Sequence, residues 1–190
     1  RTFLLWGINE KSDTDSRDDA TMLHLSHLIE RIASTLRCRV TLTIVLCDTH
    51  GLVNRADPIK GEQYAASVQA KASAHGWDVQ RMSAIWNEEA ISMEMVDHLA
   101  AHLDVKEKFP RLVRFAELRY RAQDTETGAS RYMAARLLEK PALSRRFRGQ
   151  IHLTPVEPAL DELQPELPTF HIWTCRRGCS AKPWFSLEDH

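Results

Sequence analysis

The residues best placed to do chemistry are Asp48, Thr49, His50 and Gly51, which follow directly on the apolar run Leu42–Cys47. A carboxylate, a hydroxyl and an imidazole delivered together can hold an amine, orient a base and move a proton. The run itself, Leu-Thr-Ile-Val-Leu-Cys, shows no alternation and reads as a strand covered on both faces. Ligands of open α/β sheets bind outside the carboxyl ends of such strands. Asp48 and His50 are therefore read as catalytic, with a plain polar turn into the next helix as the alternative.

Two further sets carry reactive groups. Asn9, Glu10, Lys11 and Ser12 follow a first apolar strand and offer a hydroxyl nucleophile, a base, a cation and an amide donor. If the two strands are neighbours, these residues face Asp48 and His50 across one rim, an arrangement suited to acyl transfer. Tyr132 and Glu139 are seven apart in a helical stretch and share a face, where a phenol and a carboxylate could orient and deprotonate an amine. Cys175 and Cys179 with His152 and His171 lack a second ligand pair at zinc spacing, so no metal is expected. Neither a Gly-x-Gly-x-x-Gly nor a P-loop pattern occurs, and no nucleotide cofactor is expected.

The elements that must position these groups alternate between strand and helix. Residues 2–8 read as a buried first strand, and the acidic segment 12–19 starts a helix that runs to about Leu36. Leu25, Leu28, Ile29, Ile32 and Leu36 give that helix one apolar face. After strand 42–47 come a helix over 62–74, a third strand over 79–86 and a helix over 88–103. Helices over 111–123 and 129–139, the latter ending before Pro141, precede two closing strands at 150–154 and 169–174. Strands joined by helical crossovers predict an α/β fold with a mostly parallel central sheet, one domain over 1–190 with 109–150 as a basic helical elaboration.

Composition narrows the class. A chain of 190 residues, 43% hydrophobic and 27% charged, is sized for one sizeable core and has no apolar run long enough to span a membrane. The first residues hold too short an apolar stretch for a secretory signal, and the four cysteines are not spaced as a disulfide scaffold. A cytoplasmic location is expected. Residues 111–150 carry ten basic and four acidic side chains, a local +6 in a chain of net −1. Nine of the ten are arginines, whose planar fork matches phosphate. Such a segment either docks a polyanion or forms a solvated helical face.

The order strand, Gly7-Ile8-Asn9-Glu10-Lys11-Ser12, amphipathic helix, Val45-Leu46-Cys47-Asp48-Thr49 and the helix from Tyr64 to Ala72 resembles the tRNA-dependent cyclodipeptide synthases. The basic helix and Tyr132…Glu139-Lys140-Pro141 add to the likeness. The resemblance implies a Rossmann-like fold akin to class I aminoacyl-tRNA synthetases. It also implies an aminoacyltransferase of secondary metabolism that joins two aminoacyl groups from aminoacyl-tRNAs into a diketopiperazine, a natural product, without cofactor. On this reading Ser12, Asp48, His50, Tyr132 and Glu139 are catalytic. Asn9, Glu10, Lys11, Asn54, Tyr64, Glu88 and Glu89 bind substrate, and Arg111, Arg114, Arg119 and Arg121 dock tRNA. The family's nucleophilic serine falls at Asn9 here, with a serine displaced to Ser12, and Tyr132 and Glu139 are wider apart than in that family. A fungal branch that makes arginine-containing cyclodipeptides is one place for these departures, with Glu88 and Glu89 facing the guanidinium.

A second resemblance is to the isocyanide synthases of the pyoverdine and dityrosine family. It rests on Lys11-Ser12, the strand ending at Cys47-Asp48, the segment from Arg146 to Thr154 and Pro183-Trp184. It implies a free amino acid and a sugar phosphate as substrates. A non-catalytic RNA-binding α/β module is the third possibility.

Overall fold

The computed structural model describes residues 1–8, 11–53, 57–110, 113, 125–154 and 169–171. Asn9, Glu10, Asn54, Arg111, Arg114, Arg119, Arg121, Cys175, Cys179, Pro183 and Trp184 lie outside them, as does most of the helix expected over 111–123.

Five parallel strands form the sheet: β1 Thr2–Gly7, β2 Leu42–Cys47, β3 Asp78–Arg81, β4 Ile151–Thr154 and β5 Thr169–His171. Their order is β3-β2-β1-β4-β5. β1 and β2 are indeed neighbours, paired from Thr2 with Leu42 to Gly7 with Cys47. On its other edge β1 pairs with β4, Thr2 with Ile151 through Leu4 with Leu153. The strand order therefore reverses beside β1, the switch point at which α/β sheets open a crevice at their carboxyl ends. The fold is α/β with a parallel sheet, as the alternation of elements predicts, and Rossmann-like, as the resemblance implies.

Side-chain alternation along β1 and β2 builds two cores. Leu4, Trp6, Leu42, Ile44 and Leu46 point to one face, where they meet Met22 and Leu25 of α1 (Ser16–Leu36) and Tyr64, Ala65, Val68 and Ala72 of α3 (Pro58–Ala74). Phe3, Val45 and Cys47 point to the other face. There they meet α2 (Asp48–Val53), α4 (Met82–Glu88), α5 (Met93–Ala101) and α7 (Thr125–Arg146). A short helix α6 (Val105–Lys108) precedes α7. Asp15 caps α1 in a reciprocal capping box with Asp18, and Asp57 caps α3.

Three sequence expectations shift. The third strand stops at Arg81, and the chain becomes helical at Met82 because Met82, Ile85 and Trp86, spaced i, i+3, i+4, all bury on one face. The helix expected over 88–103 is broken: Ala90 takes a left-handed φ of 53° and Ser92 starts α5 as a new cap. α7 does not end before Pro141 but carries it inside. Ala142, Leu143 and Phe147 beyond it are buried against the sheet, and that packing outweighs the roughly 3 kcal/mol a helical proline costs.

The burial pattern sets a stability prediction. Ile44 is fully buried in the central strand pair and Leu36 is 65% exposed at the end of α1. Ile44→Ala should cost about 3 kcal/mol in urea unfolding and Leu36→Ala less than about 0.5 kcal/mol. Equal losses would contradict this assignment of the core.

Candidate functional site

β2 ends at Cys47 and the chain turns at once into α2, so Asp48 and His50 leave the sheet on a helix rather than a loop. Residues two apart on a helix do not face each other, and the two side chains diverge. Asp48 turns toward the start of α4. One of its oxygens accepts from the Ser83 N–H at 2.9 Å and the Thr49 N–H at 3.1 Å. The other accepts from the Ser83 hydroxyl at 2.6 Å and lies 3.8 Å from the Arg81 guanidinium.

His50 turns inward to α7. Its Nε2 lies 3.0 Å from both oxygens of Glu139. Trp86 Nε1 donates to Oε1 at 2.9 Å, and Arg136 Nη1 donates to Oε2 at 2.8 Å. An ionised carboxylate only accepts, so Nε2 carries the hydrogen in this pair. The Tyr132 ring meets His50 edge-on at 5.1 Å. Glu139 has no exposed surface and Tyr132 only 2%. Burial alone would push the Glu139 carboxyl up. The attraction and hydrogen bond of His50, the Arg136 guanidinium and the Trp86 N–H outweigh this and hold it at about 2. Burial pushes the Tyr132 phenol up, so its hydroxyl stays protonated.

At the end of β1 a third network faces α1 and α3. Trp6 Nε1 donates to Tyr64 Oη at 3.2 Å, and that hydroxyl donates to Asp18 at 2.7 Å. Lys11 bonds Asp15 at 2.7 Å and reaches Asp18 at 3.4 Å, with its ammonium 5.8 Å from the Tyr64 ring centre. Ser12 is exposed in the turn that enters α1.

Among the described residues a cleft of about 180 Å³ opens at the carboxyl rim of β1, β2 and β3. Ile8, Asp48, Leu52, Pro58, Glu62 and Ser83 line it. Arg81 grips Glu62 through two bonds of 2.6 and 2.7 Å, holding that carboxyl below its usual range.

The candidate residues thus fall into separate groups. The structure joins His50, Tyr132 and Glu139 in one buried cluster, places Asp48 on the cleft and puts Lys11 and Tyr64 in the β1 network. Glu88 and Glu89 do not turn to the cleft; they pair on the surface with Arg146 and Arg145, the chain's own guanidiniums. Arg131 pairs with Asp97 and Arg136 with Glu139, so these four arginines of α7 each meet a carboxylate. Sequence reading passed over Ser83, Trp86 and Arg136 as site residues. The spacing Tyr132, Arg136, Glu139 does carry a signal, since i, i+4 and i+7 share one helix face. Among the described residues no group of three or more His, Cys, Asp or Glu side chains could hold a metal ion, and no helix is long and apolar enough to cross a membrane.

No protein-family model matches the chain, and no curated protein matches it. Solved structures do. The PvcA protein from Pseudomonas aeruginosa superposes over 97% of this chain and 71% of its own, at 15% identity and a TM-score of 0.64. A cyclodipeptide synthase from Candidatus Glomeribacter gigasporarum, bound to Phe-tRNAPhe, overlaps 99% of this chain and 93% of its own, at 14% identity and a TM-score of 0.42. The shared fold rests on the first of these.

The depressed Glu139 carboxyl makes a pH prediction. A group held below its unfolded value of 4.5 contributes stability in full above that pH and loses it as pH falls toward about 2. Glu139→Gln leaves Arg136 buried without its counter-charge and should cost about 3–5 kcal/mol at neutral pH. The gap between wild type and variant should narrow steadily as pH falls from about 4.5 to about 2. A pH-independent gap in unfolding midpoints would refute the ionised assignment.

Proposed function

We propose that this chain is an enzyme domain that acts on a free α-amino acid, in the manner of the isocyanide synthases. The fold it shares with PvcA, an isocyanide synthase, supports an enzyme of that general kind. The observation that carries the finer reading is the rim cleft. It is small, with room for about six water molecules. Asp48 shares its lining with the apolar side chains of Ile8, Leu52 and Pro58 and with the carboxylates Asp57 and Glu62. A fixed carboxylate beside an apolar wall suits the ammonium and side chain of one amino acid, and it repels phosphate.

On this reading Asp48 receives the substrate ammonium, and the buried His50–Glu139 pair beneath it fixes α2 and the direction in which Asp48 leaves the sheet. Ser12 stands exposed in the turn after the neighbouring strand end, where a second substrate would meet the amino acid, while the Lys11 ammonium is already taken by Asp15 and Asp18. A tRNA-dependent transferase is the second reading. The +6 segment over 111–150 favours it. Against it, Arg131, Arg136, Arg145 and Arg146 are already matched by acidic partners.

The two readings separate in one assay. Purified protein is offered free amino acids with a sugar phosphate, or aminoacyl-tRNA alone, and products are read by mass spectrometry. Consumption of a free amino acid without tRNA is expected; a diketopiperazine formed from aminoacyl-tRNA would overturn the proposal.

Asp48→Asn gives a residue-level check. The Asn amide can still accept the two backbone N–H groups and donate to the rotatable Ser83 hydroxyl, so the fold should hold. Turnover should fall at least tenfold, about 1.4 kcal/mol of transition-state stabilisation. Unchanged specific activity with a lowered melting point would make Asp48 a purely structural residue.

A further inference from the structure

We infer that Ser83 is the positioning residue that sets the carboxylate of Asp48 for an incoming ammonium group, an inference that rests on the amino-acid reading above. Ser83 is a lining residue of the rim cleft and holds both oxygens of Asp48. Its backbone N–H meets one oxygen at 2.9 Å and its hydroxyl meets the other at 2.6 Å. The shorter distance belongs to the strong class of hydroxyl-to-carboxylate bonds. With the Thr49 N–H at 3.1 Å as a third donor, the Asp48 side chain has one orientation before any ligand arrives.

That orientation matters because a carboxylate free to rotate must lose rotamer freedom on binding, and one already fixed does not. The donors come from two elements, α2 and α4, at the carboxyl ends of neighbouring strands β2 and β3. Arg81, the last residue of β3, stands 3.8 Å from the Asp48 oxygen that Ser83 also holds, but two bonds tie it to Glu62. Glu62 is thereby its main partner, and the longer contact with Asp48 is the looser of its two ion pairs. Because Ser83 acts through Asp48, it governs recognition of the amino group and not of the rest of the molecule.

Isothermal titration of the whole chain with L-leucine and L-phenylalanine tests this, set against isocaproate and hydrocinnamate, the same molecules without the amino group. The apolar walls Ile8, Leu52 and Pro58 are the reason for these probes. Wild type should bind each amino acid more tightly than its deaminated counterpart. Ser83→Ala should weaken both amino acids about tenfold and leave isocaproate and hydrocinnamate unchanged, and Ser83→Thr, which keeps the hydroxyl, should restore binding to within about twofold. Measuring both ligand types on the same folded variant separates positioning from damage to the cleft. Undiminished amino-acid binding by Ser83→Ala, or an equal loss for both ligand types, overturns the role of Ser83. If wild type consumes free amino acids and Ser83→Ala behaves as wild type, this inference alone fails. If wild type neither binds nor consumes any free amino acid, the reading beneath it fails as well.

Discussion

The carboxylate of Glu139 is the point on which one side of the molecule depends. A charge with no exposed surface is tolerated only when donors replace the water it has lost, and here His50, Trp86 and Arg136 do so from α2, α4 and α7. Each donor comes from a different helix, and each helix follows or precedes a strand of the sheet. Satisfying one carboxylate therefore fixes three helices against the same face. Beyond Glu139, α7 runs through Pro141 because ending the helix there would release Leu143 and Phe147 from the apolar cluster on this face.

The opposite face is organised by a different polar line, from Trp6 through Tyr64 to Asp18 and Lys11. Asp18 serves twice, as partner of the α1 capping box and as acceptor for the Tyr64 hydroxyl. This couples the start of α1 to α3 across the end of β1. The rim cleft lies between the two networks, where β1, β2 and β3 end, and its walls come from segments that the networks hold on either side.

Charge is distributed to match. The arginines of α7 that the sequence presents as a basic face meet Glu88 of α4, Glu89 just after it, Asp97 of α5 and Glu139 of α7 itself. Pairs at the surface, such as Arg145 with Glu89, contribute little to stability, but they remove those guanidiniums from the pool that could grip a phosphate. The share of the local +6 that α7 carries thus says less about a polyanionic partner than the count alone suggests.

The sequence by itself determined the class of fold. Unbroken apolar runs at Leu42–Cys47 and in β1 read as two-sided strands, and helical spacing between them points to parallel crossovers. It also picked out Asp48, His50, Tyr132 and Glu139, because reactive side chains at a strand end and on one helix face stand out in a linear reading. Which of these meet was a matter for tertiary structure. Asp48 and His50 are two residues apart, yet α2 begins at Asp48 and a two-residue step on a helix turns side chains away from each other, one to Ser83 and one to Glu139. Ser83 and Trp86 carry no mark in sequence, since the apolar pattern over 79–86 reads as a strand and only the structure turns Met82–Glu88 into a helix. Their roles arise from packing of segments 35 and 53 residues away from their partners, a separation that no local pattern encodes.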